Sequence, residues 1–263
     1  MGIAAALMLL SVAGCKDENT YDPEKDDSLK KVLDAGQLVL GLDLDFPPMG
    51  YMNEEGEVVG FDIDVAREVC RRLNIELVTQ GIDWDEKEDD LNSGRIDCIW
   101  NGFSITPARD ESMNLSDPYM KNEMIVVVSG ESSLKALRDL KGCRVGVQSG
   151  STAQEILEKS EIYAEVTPVL YDTVVLALKE LDEGKIDAAV VDSIVAYNYI
   201  LSSPAKYFVL SDSLGEEEYA VGFRKEDRKL RDRIQEIINE MKTDGTLGEI
   251  SKEWFGSDIT TVK

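Results

Sequence analysis

No histidine occurs in the 263 residues. That absence excludes histidine-based catalytic triads, histidine-ligated metal centres and the usual proton shuttle of neutral pH. Cations are also scarce: 28 Lys+Arg stand against 52 Asp+Glu, a formal net charge of -24. A chain so short of basic residues lacks the positive face that phosphate backbones demand, so nucleic acid is not an expected partner. The acidity itself reads as plain solubility, which acidic side chains serve better than basic ones. Cysteine is sparse, with four in the chain and no C-x-x-C pair. Without histidine to complete a ligand set, neither a metal nor a cofactor is expected. Cys70, Cys98 and Cys143 read as small packing residues.

The apolar stretch over residues 1–14 (MGIAAALMLLSVAG) carries no charge. It is too short to cross a bilayer as a lone helix, which needs roughly 20 apolar residues. It ends at Cys15, after which the chain turns strongly polar. Val12-Ala13-Gly14-Cys15 resembles the bacterial lipobox, in which small residues fit the signal peptidase and the cysteine thiol is acylated before cleavage. Residues 1–14 are therefore expected to be a lipoprotein signal peptide, Cys15 a lipidated, palmitate-bearing residue, and residues 15–28 that cysteine with a solvated tether. The competing reading is a buried N-terminal helix with an ordinary cysteine. No Lys or Arg precedes the apolar run, so either a trimmed signal or a misassigned start codon is expected. For an exported chain a Cys70–Cys98 bridge is an open alternative, since its distance requirement is not readable from sequence.

With 43% hydrophobic residues and 7% aromatics, the chain has the means to build a real core. From Leu29 an amphipathic helix (SLKKVLDAG) leads into a strand (QLVLGLD). GFDIDVAREVCRRLN then reads as a long helix, IELVTQ as a strand, DEKEDDLNSG as a helix and IDCIW as a buried strand. This alternation predicts an α/β fold with mostly parallel sheets flanked by helices. The pattern also repeats. Leu91, Gly94, Ile96 and Asp97 return as Leu181, Gly184, Ile186 and Asp187, and SLKKVLDAGQLVLGL is echoed by SLKALRDLKGCRVGV. Two echoes in one order point to two lobes of similar design. Open α/β lobes bind at the carboxyl ends of their strands, so the cleft between the lobes is the expected pocket.

The chain resembles the family 3 bacterial extracellular solute-binding proteins from about Gln37 to Gly256. The most specific match is Gly60-Phe61-Asp62-Ile63-Asp64-Val65 followed by Val69, Cys70 and Leu73. FPPMGY near 46, NGFSITPAR at 101–109, LSDPYM at 115–120, GVQSGST at 146–152 and the closing EWFG support it. The resemblance implies a two-lobe, type II, Venus-flytrap periplasmic-binding-protein fold with two interlobe crossings, near 119–123 and 217–221. Lobe one is then expected over 29–120 plus 220–263, and lobe two over 121–219. The implied function is extracytoplasmic binding of a free polar or basic amino acid for an ABC importer, with the permease as partner, a lipid anchor at the membrane and a monomeric state.

A free amino acid is a zwitterion, so taking it out of water requires a cation for its carboxylate and an anion for its ammonium. Arg109 matches the family's carboxylate-binding arginine, and a guanidinium suits bidentate carboxylate binding. Ser151 and Thr152 open the helix TAQEILEKS, where free N–H groups would hold the other side of that carboxylate. Asp192 matches the ammonium-binding acid, with the Ser104 hydroxyl and the Gly102 carbonyl completing that half. Asp43, Phe46 and Trp84 fall on positions that line the side-chain pocket, with Asn101 beside them, and the aromatic faces would sandwich an aliphatic, amide or guanidinium group. Asp43 disfavours glutamate and aspartate and leaves glutamine, a basic amino acid or cystine in play.

Each of these assignments has a plainer alternative: Arg109 as a surface ion pair, Asp192 as a strand-end cap, Ser151 as a helix N-cap, Phe46 and Trp84 as core residues. An enzyme on the same fold, of the cyclohexadienyl-dehydratase kind, is the competing functional class. It would need a general acid poised in the cleft. A receptor sensor domain is a further alternative, disfavoured because no transmembrane helix is read after the last motif.

Overall fold

A computed structural model describes residues 21–262 of the chain. The expected signal segment 1–14 and the lipidation site Cys15 lie outside the described residues. Among those described, the last part of the expected tether is docked rather than solvated. Tyr21 lies under the guanidinium of Arg228 at 4.2 Å, and Asp26 Oδ2 accepts from the Lys229 N–H at 2.8 Å. A carboxylate at the start of a helix is favoured there by its free N–H groups and positive dipole end, which is why this segment settles.

The expected alternation is present. β1 (Gln37–Leu42), β5 (Glu76–Gly81) and β6 (Cys98–Ser104) run parallel, with α1 (Ser28–Ala35), α2 (Phe61–Leu73) and the short α3 (Lys87–Asn92) between or beside them. The same plan returns in β9 (Arg144–Gln148), β10 (Thr167–Tyr171) and β11 (Ala188–Asp192), also parallel, with α5 (Thr152–Lys159) and α6 (Val174–Asp182) as crossovers. β6 and β11 are buried along their whole length, as expected of central strands covered on both faces.

The repeat seen in sequence is a packing unit. Asp97 accepts from the Val39 N–H at 2.9 Å, and Asp187 from the Arg144 N–H at 2.8 Å, so each acid ties its own strand start to the central strand. Gly41 and Gly146 occupy matching places in the two central strands. A Cβ on either would collide with the Cδ1 of the partner isoleucine, Ile96 or Ile186.

Between the halves run two long strands, β8 (Met120–Ser129) and β13 (Gly215–Arg224). They pair antiparallel with each other from Met120–Tyr219 to Met124–Gly215. β8 also pairs with β11, and β13 with β6. The strand order is β10-β9-β11-β8-β13-β6-β1-β5, so one ten-stranded sheet runs through both halves rather than two separate sheets. Shorter strands were not legible in sequence. β2 (Asp45–Phe46), β3 (Gly50–Met52) and β4 (Val58–Val59) form a small separate sheet, β7 (Met113–Leu115) pairs with β13, and β12 (Tyr207–Val209) pairs with β8. Elements of two or three residues are too short to show a period.

After β13 the chain returns to the first half. α8 (Arg228–Asp244) and α9 (Thr246–Phe255) lie against α2, where Arg72 Nη2 meets Asp244 at 2.8 Å and Trp254 Nε1 donates to Asp64 at 2.9 Å. Cys70 and Cys98 are buried free thiols, so the bridge left open by sequence is not formed. Burial pushes the Cys70 thiol up to about 12, which leaves it inert.

Because Gly41 and Gly146 each sit against an isoleucine methyl, Gly41→Ala and Gly146→Ala should each destabilise the fold by about 1–3 kcal/mol. Urea melts of the two variants test this, and an unchanged midpoint in both would contradict the close packing.

Candidate functional site

The carboxyl ends of the parallel strands in both halves face one cleft, the expected place for a ligand in open α/β sheets. Its walls bring together all ten residues singled out from sequence: Asp43, Phe46, Trp84, Asn101, Gly102, Ser104, Arg109, Ser151, Thr152 and Asp192. Gln148 joins them, a residue that sequence reasoning passed over.

Arg109 sits on α4 (Pro107–Ser112), capped by the Thr106 hydroxyl, which accepts from the Arg109 N–H. Its side chain is turned inward and 5% exposed. One Nη1 donates to the Ser104 carbonyl at 2.7 Å, and the guanidinium lies 4.1 Å from the centre of the Phe103 ring. Among the described residues no carboxylate oxygen lies within 4.0 Å of it. The surface ion-pair alternative is therefore not what the structure shows. Burial pulls its affinity for a proton down from the usual arginine value, partly offset by more distant acids, yet a guanidinium keeps its charge in any protein setting.

Across the cleft, Asp192 ends β11 and occupies the N-cap position of α7 (Ser193–Ser202), but its side chain makes no cap hydrogen bond. Instead Oδ1 accepts from the Tyr219 hydroxyl at 2.6 Å and from Asn122 Nδ2 at 2.7 Å. Burial, then the charge of Glu217, hold its carboxyl well above the usual carboxylate range. Ser151 is the N-cap of α5, its Oγ accepting from the Gln154 N–H at 3.2 Å. That leaves the first N–H groups of the helix turned to the cleft. The Ser104 and Thr152 hydroxyls meet across the cleft at 3.2 Å.

Two further contacts join the walls. Gln148 Nε2 donates to Asp43 Oδ2 at 2.7 Å. Lys87 Nζ donates to the carbonyls of Trp84 at 2.8 Å and Gly150 at 3.0 Å. Burial pulls the Lys87 ammonium down to about 8. Asn101 lines the cleft and also braces its wall: its Oδ1 accepts from the Asp43 N–H at 3.0 Å and its Nδ2 donates to the Gly50 carbonyl at 3.3 Å. Trp84 belongs partly to the core, edge-on to Phe103 with ring centres 6.1 Å apart.

Residues 38–257 match the bacterial extracellular solute-binding proteins, family 3. The chain belongs to that family. The L-cystine-binding protein TcyJ of Escherichia coli is 30% identical over 99% of this chain and 96% of its own. Among solved structures, Tv2483 bound to L-arginine overlays with a TM-score of 0.87 at 33% identity, covering 90% of this chain and 98% of that one. A substrate-binding protein of an ABC uptake transporter from Streptococcus pneumoniae, with bound histidine, also gives 0.87 at 36% identity, covering 90% and 99%. The ancestral amino-acid-binding protein AncCDT-1, a precursor of cyclohexadienyl dehydratase, gives 0.80 at 27% identity over 87% and 99%. These likenesses are to binding proteins of the two-lobe type II fold.

The signature by which this solute-binding protein is recognised has a structural purpose at its second position. Gly102 holds a left-handed φ of +55°, and its N–H donates to Asp62 Oδ2 at 2.7 Å. A Cβ at Gly102 would collide with the Phe46 ring. Asp62 thus pins the turn that aims the Gly102 carbonyl, a role that its place in the GFDIDV match did not disclose. Asp62 is fully buried and its Oδ1 has no hydrogen-bond partner. Burial pushes its carboxyl up to about 7, against the pull of the Gly102 N–H.

A carboxyl whose folded value lies above its unfolded value of about 3.9 favours folding while protonated. Its contribution is full below about pH 4 and is lost as pH rises through about 7, on the order of 2–4 kcal/mol. Urea unfolding of ligand-free protein should therefore weaken between about pH 4 and about pH 7, and Asp62→Asn should flatten much of that loss. Equal pH dependence in the variant would remove Asp62 as its source.

Proposed function

We propose that this protein is the extracytoplasmic substrate-binding component of an amino-acid ABC importer, and that it takes a free L-amino acid with a cationic side chain, of the arginine or lysine type. One observation carries the reading: a buried guanidinium with no carboxylate beside it stands across a cleft from a buried carboxylate with no cation beside it. Two unlike charges held apart in a dry cleft are each poorly solvated, and a zwitterion satisfies both at once. Arg109 and the N–H groups of Ser151 and Thr152 would take the ligand carboxylate. Asp192, the Gly102 carbonyl and the Ser104 hydroxyl would take the ammonium.

The charge count favours a cationic side chain. Arg109 balances one of the lining carboxylates, Asp43 or Asp192, and the other remains over. The Lys87 ammonium is turned to backbone carbonyls, away from both. Phe46 and Trp84 would flank a guanidinium or an aliphatic stem, and Asp43 would pair with its end, exchanging Gln148 for the ligand. Glutamine and cystine would leave that excess charge unmatched.

Lobe one is assigned to 29–120 plus 220–263 and lobe two to 121–219, closing about the β8 and β13 crossings. The Lys87–Gly150, Gln148–Asp43 and Ser104–Thr152 contacts belong to the closed form, which the permease transmembrane subunits would read. Acylation of Cys15 would hold the protein, as a monomer, at the outer face of the membrane. Palmitate labelling lost in Cys15→Ser checks that anchor.

The ligand assignment has direct tests. Arg109→Ala should weaken calorimetric binding of L-arginine at least roughly 100-fold, since a buried charge pair is worth about 2–5 kcal/mol; retained micromolar affinity would overturn the carboxylate assignment. Asp43→Asn should weaken L-arginine about 10-fold or more while changing L-glutamine little. An equal effect on both would remove Asp43 as the side-chain reader. Turnover of prephenate or arogenate by the purified protein would instead favour an enzyme on this fold.

A further inference from the structure

Behind the ammonium pole stands a second acid that neither the sequence motifs nor the lining of the cleft assigns. Glu217 projects from β13 and is 8% exposed. Its Oε2 accepts from the Ser104 hydroxyl at 3.2 Å and from Asn122 Nδ2 at 3.1 Å. The same Asn122 nitrogen reaches Asp192 Oδ1 at 2.7 Å. One amide therefore gathers two buried carboxyl groups, and it is itself fixed by the Ser193 hydroxyl, which donates to its Oδ1 at 3.0 Å. The Tyr219 hydroxyl adds a second donor to Asp192. These donors are all neutral. Among the described residues no Lys or Arg nitrogen lies within 4.0 Å of either acid.

We propose that Asp192 and Glu217 share one proton in the ligand-free protein, and that docking of the ligand's ammonium at Asp192 expels that proton to solvent. The inference rests on the amino-acid-binding reading above. Two like charges held by one amide in a buried site cannot both ionise without a counter-ion, so the pair takes up a proton until a cation arrives. The ligand's ammonium is that cation, and it trades one positive charge for another. Other charged groups around the pair do not replace it. From α4, Arg109 feels both acids but stands beyond ion-pair reach. From β8, Lys121 and Glu123 point outward to either side of Asn122 and offset each other. From α5, the facing residue is the neutral Thr152, and Glu155 one turn on pairs with Lys159 at 3.1 Å. Burial and the charge of Glu217 both raise the Asp192 carboxyl, in the direction this exchange requires.

The consequence is affinity that falls as the medium becomes more acidic, with proton release written into each binding event. Calorimetric titration of the full chain with L-arginine at about pH 6.5, in phosphate and in bis-Tris, reads the release directly, because the two buffers differ in ionisation enthalpy. The expected result is release of a sizeable fraction of one proton per ligand, fading above about pH 8.5. Glu217→Gln should cut the release by more than half and make affinity less dependent on pH. Binding with no buffer dependence, or unchanged release in Glu217→Gln, would overturn the shared proton while leaving the amino-acid reading intact. Absence of binding to any amino acid would sink both. Carboxyl carbon-13 NMR of the ligand-free wild type checks the pair without ligand or variant: a second buried carboxyl besides Asp62 should titrate near neutrality, and an Asp192–Glu217 pair fully ionised by about pH 5 would refute the proposal.

Discussion

The central constraint on this molecule is that charges of opposite sign are buried on facing walls and kept from neutralising each other. Arg109 spends one of its donors on the Ser104 carbonyl and packs on Phe103, which holds the guanidinium in place without discharging it. Asp192 is held by Tyr219 and Asn122 in the same manner. A buried ion without a partner costs several kcal/mol of desolvation, so the closed arrangement is unfavourable until something with both charges occupies it. In the function proposed above that penalty would link binding to closure: the ligand's affinity for the closed form would exceed its affinity for the open one by whatever it restores to both walls.

The frame that makes this affordable is the repeated half. Each half supplies three parallel strands whose carboxyl ends converge on the cleft, with a glycine packed under an isoleucine at the same place in both, and one apolar cluster runs through both halves. The polar cleft can then be strained electrostatically without loosening the fold. The halves meet through the pairing of β8 and β13 and through a few polar contacts across the cleft. Those contacts are neutral or one-sided: an amide on Asp43, an ammonium on backbone carbonyls, a pair of hydroxyls. None removes the charge mismatch, so none competes with a zwitterion for its two poles.

The acids of the two halves show how the same chemical group serves different ends. Asp97 and Asp187 accept backbone N–H groups at strand starts and belong to the repeat. Asp62 supports the Gly102 turn from below, with one oxygen left unsatisfied. Asp43 and Asp192 line the cleft.

By itself the sequence determined the alternation of helix and strand and the doubling of the α/β unit, because period and spacing are local properties of the chain, while the residues of the cleft were legible through the resemblance to a family. Asp62 and Gln148 lie inside the motifs that carry that resemblance, GFDIDV and GVQSGST, yet a motif does not say that one acid is buried under a turn or that one amide reaches across the cleft. Glu217 sits in an ordinary strand pattern, and its part in the site was not legible at all. The short strands β2, β3, β4, β7 and β12 were hidden for the related reason that two or three residues carry no period. Only the tertiary structure decided which acids are buried, which share a donor, and that two expected sheets join into one. Those facts depend on distances between residues 40 to 113 positions apart in the chain, and desolvation, unlike periodicity, is set by what packs around a group and not by what precedes it.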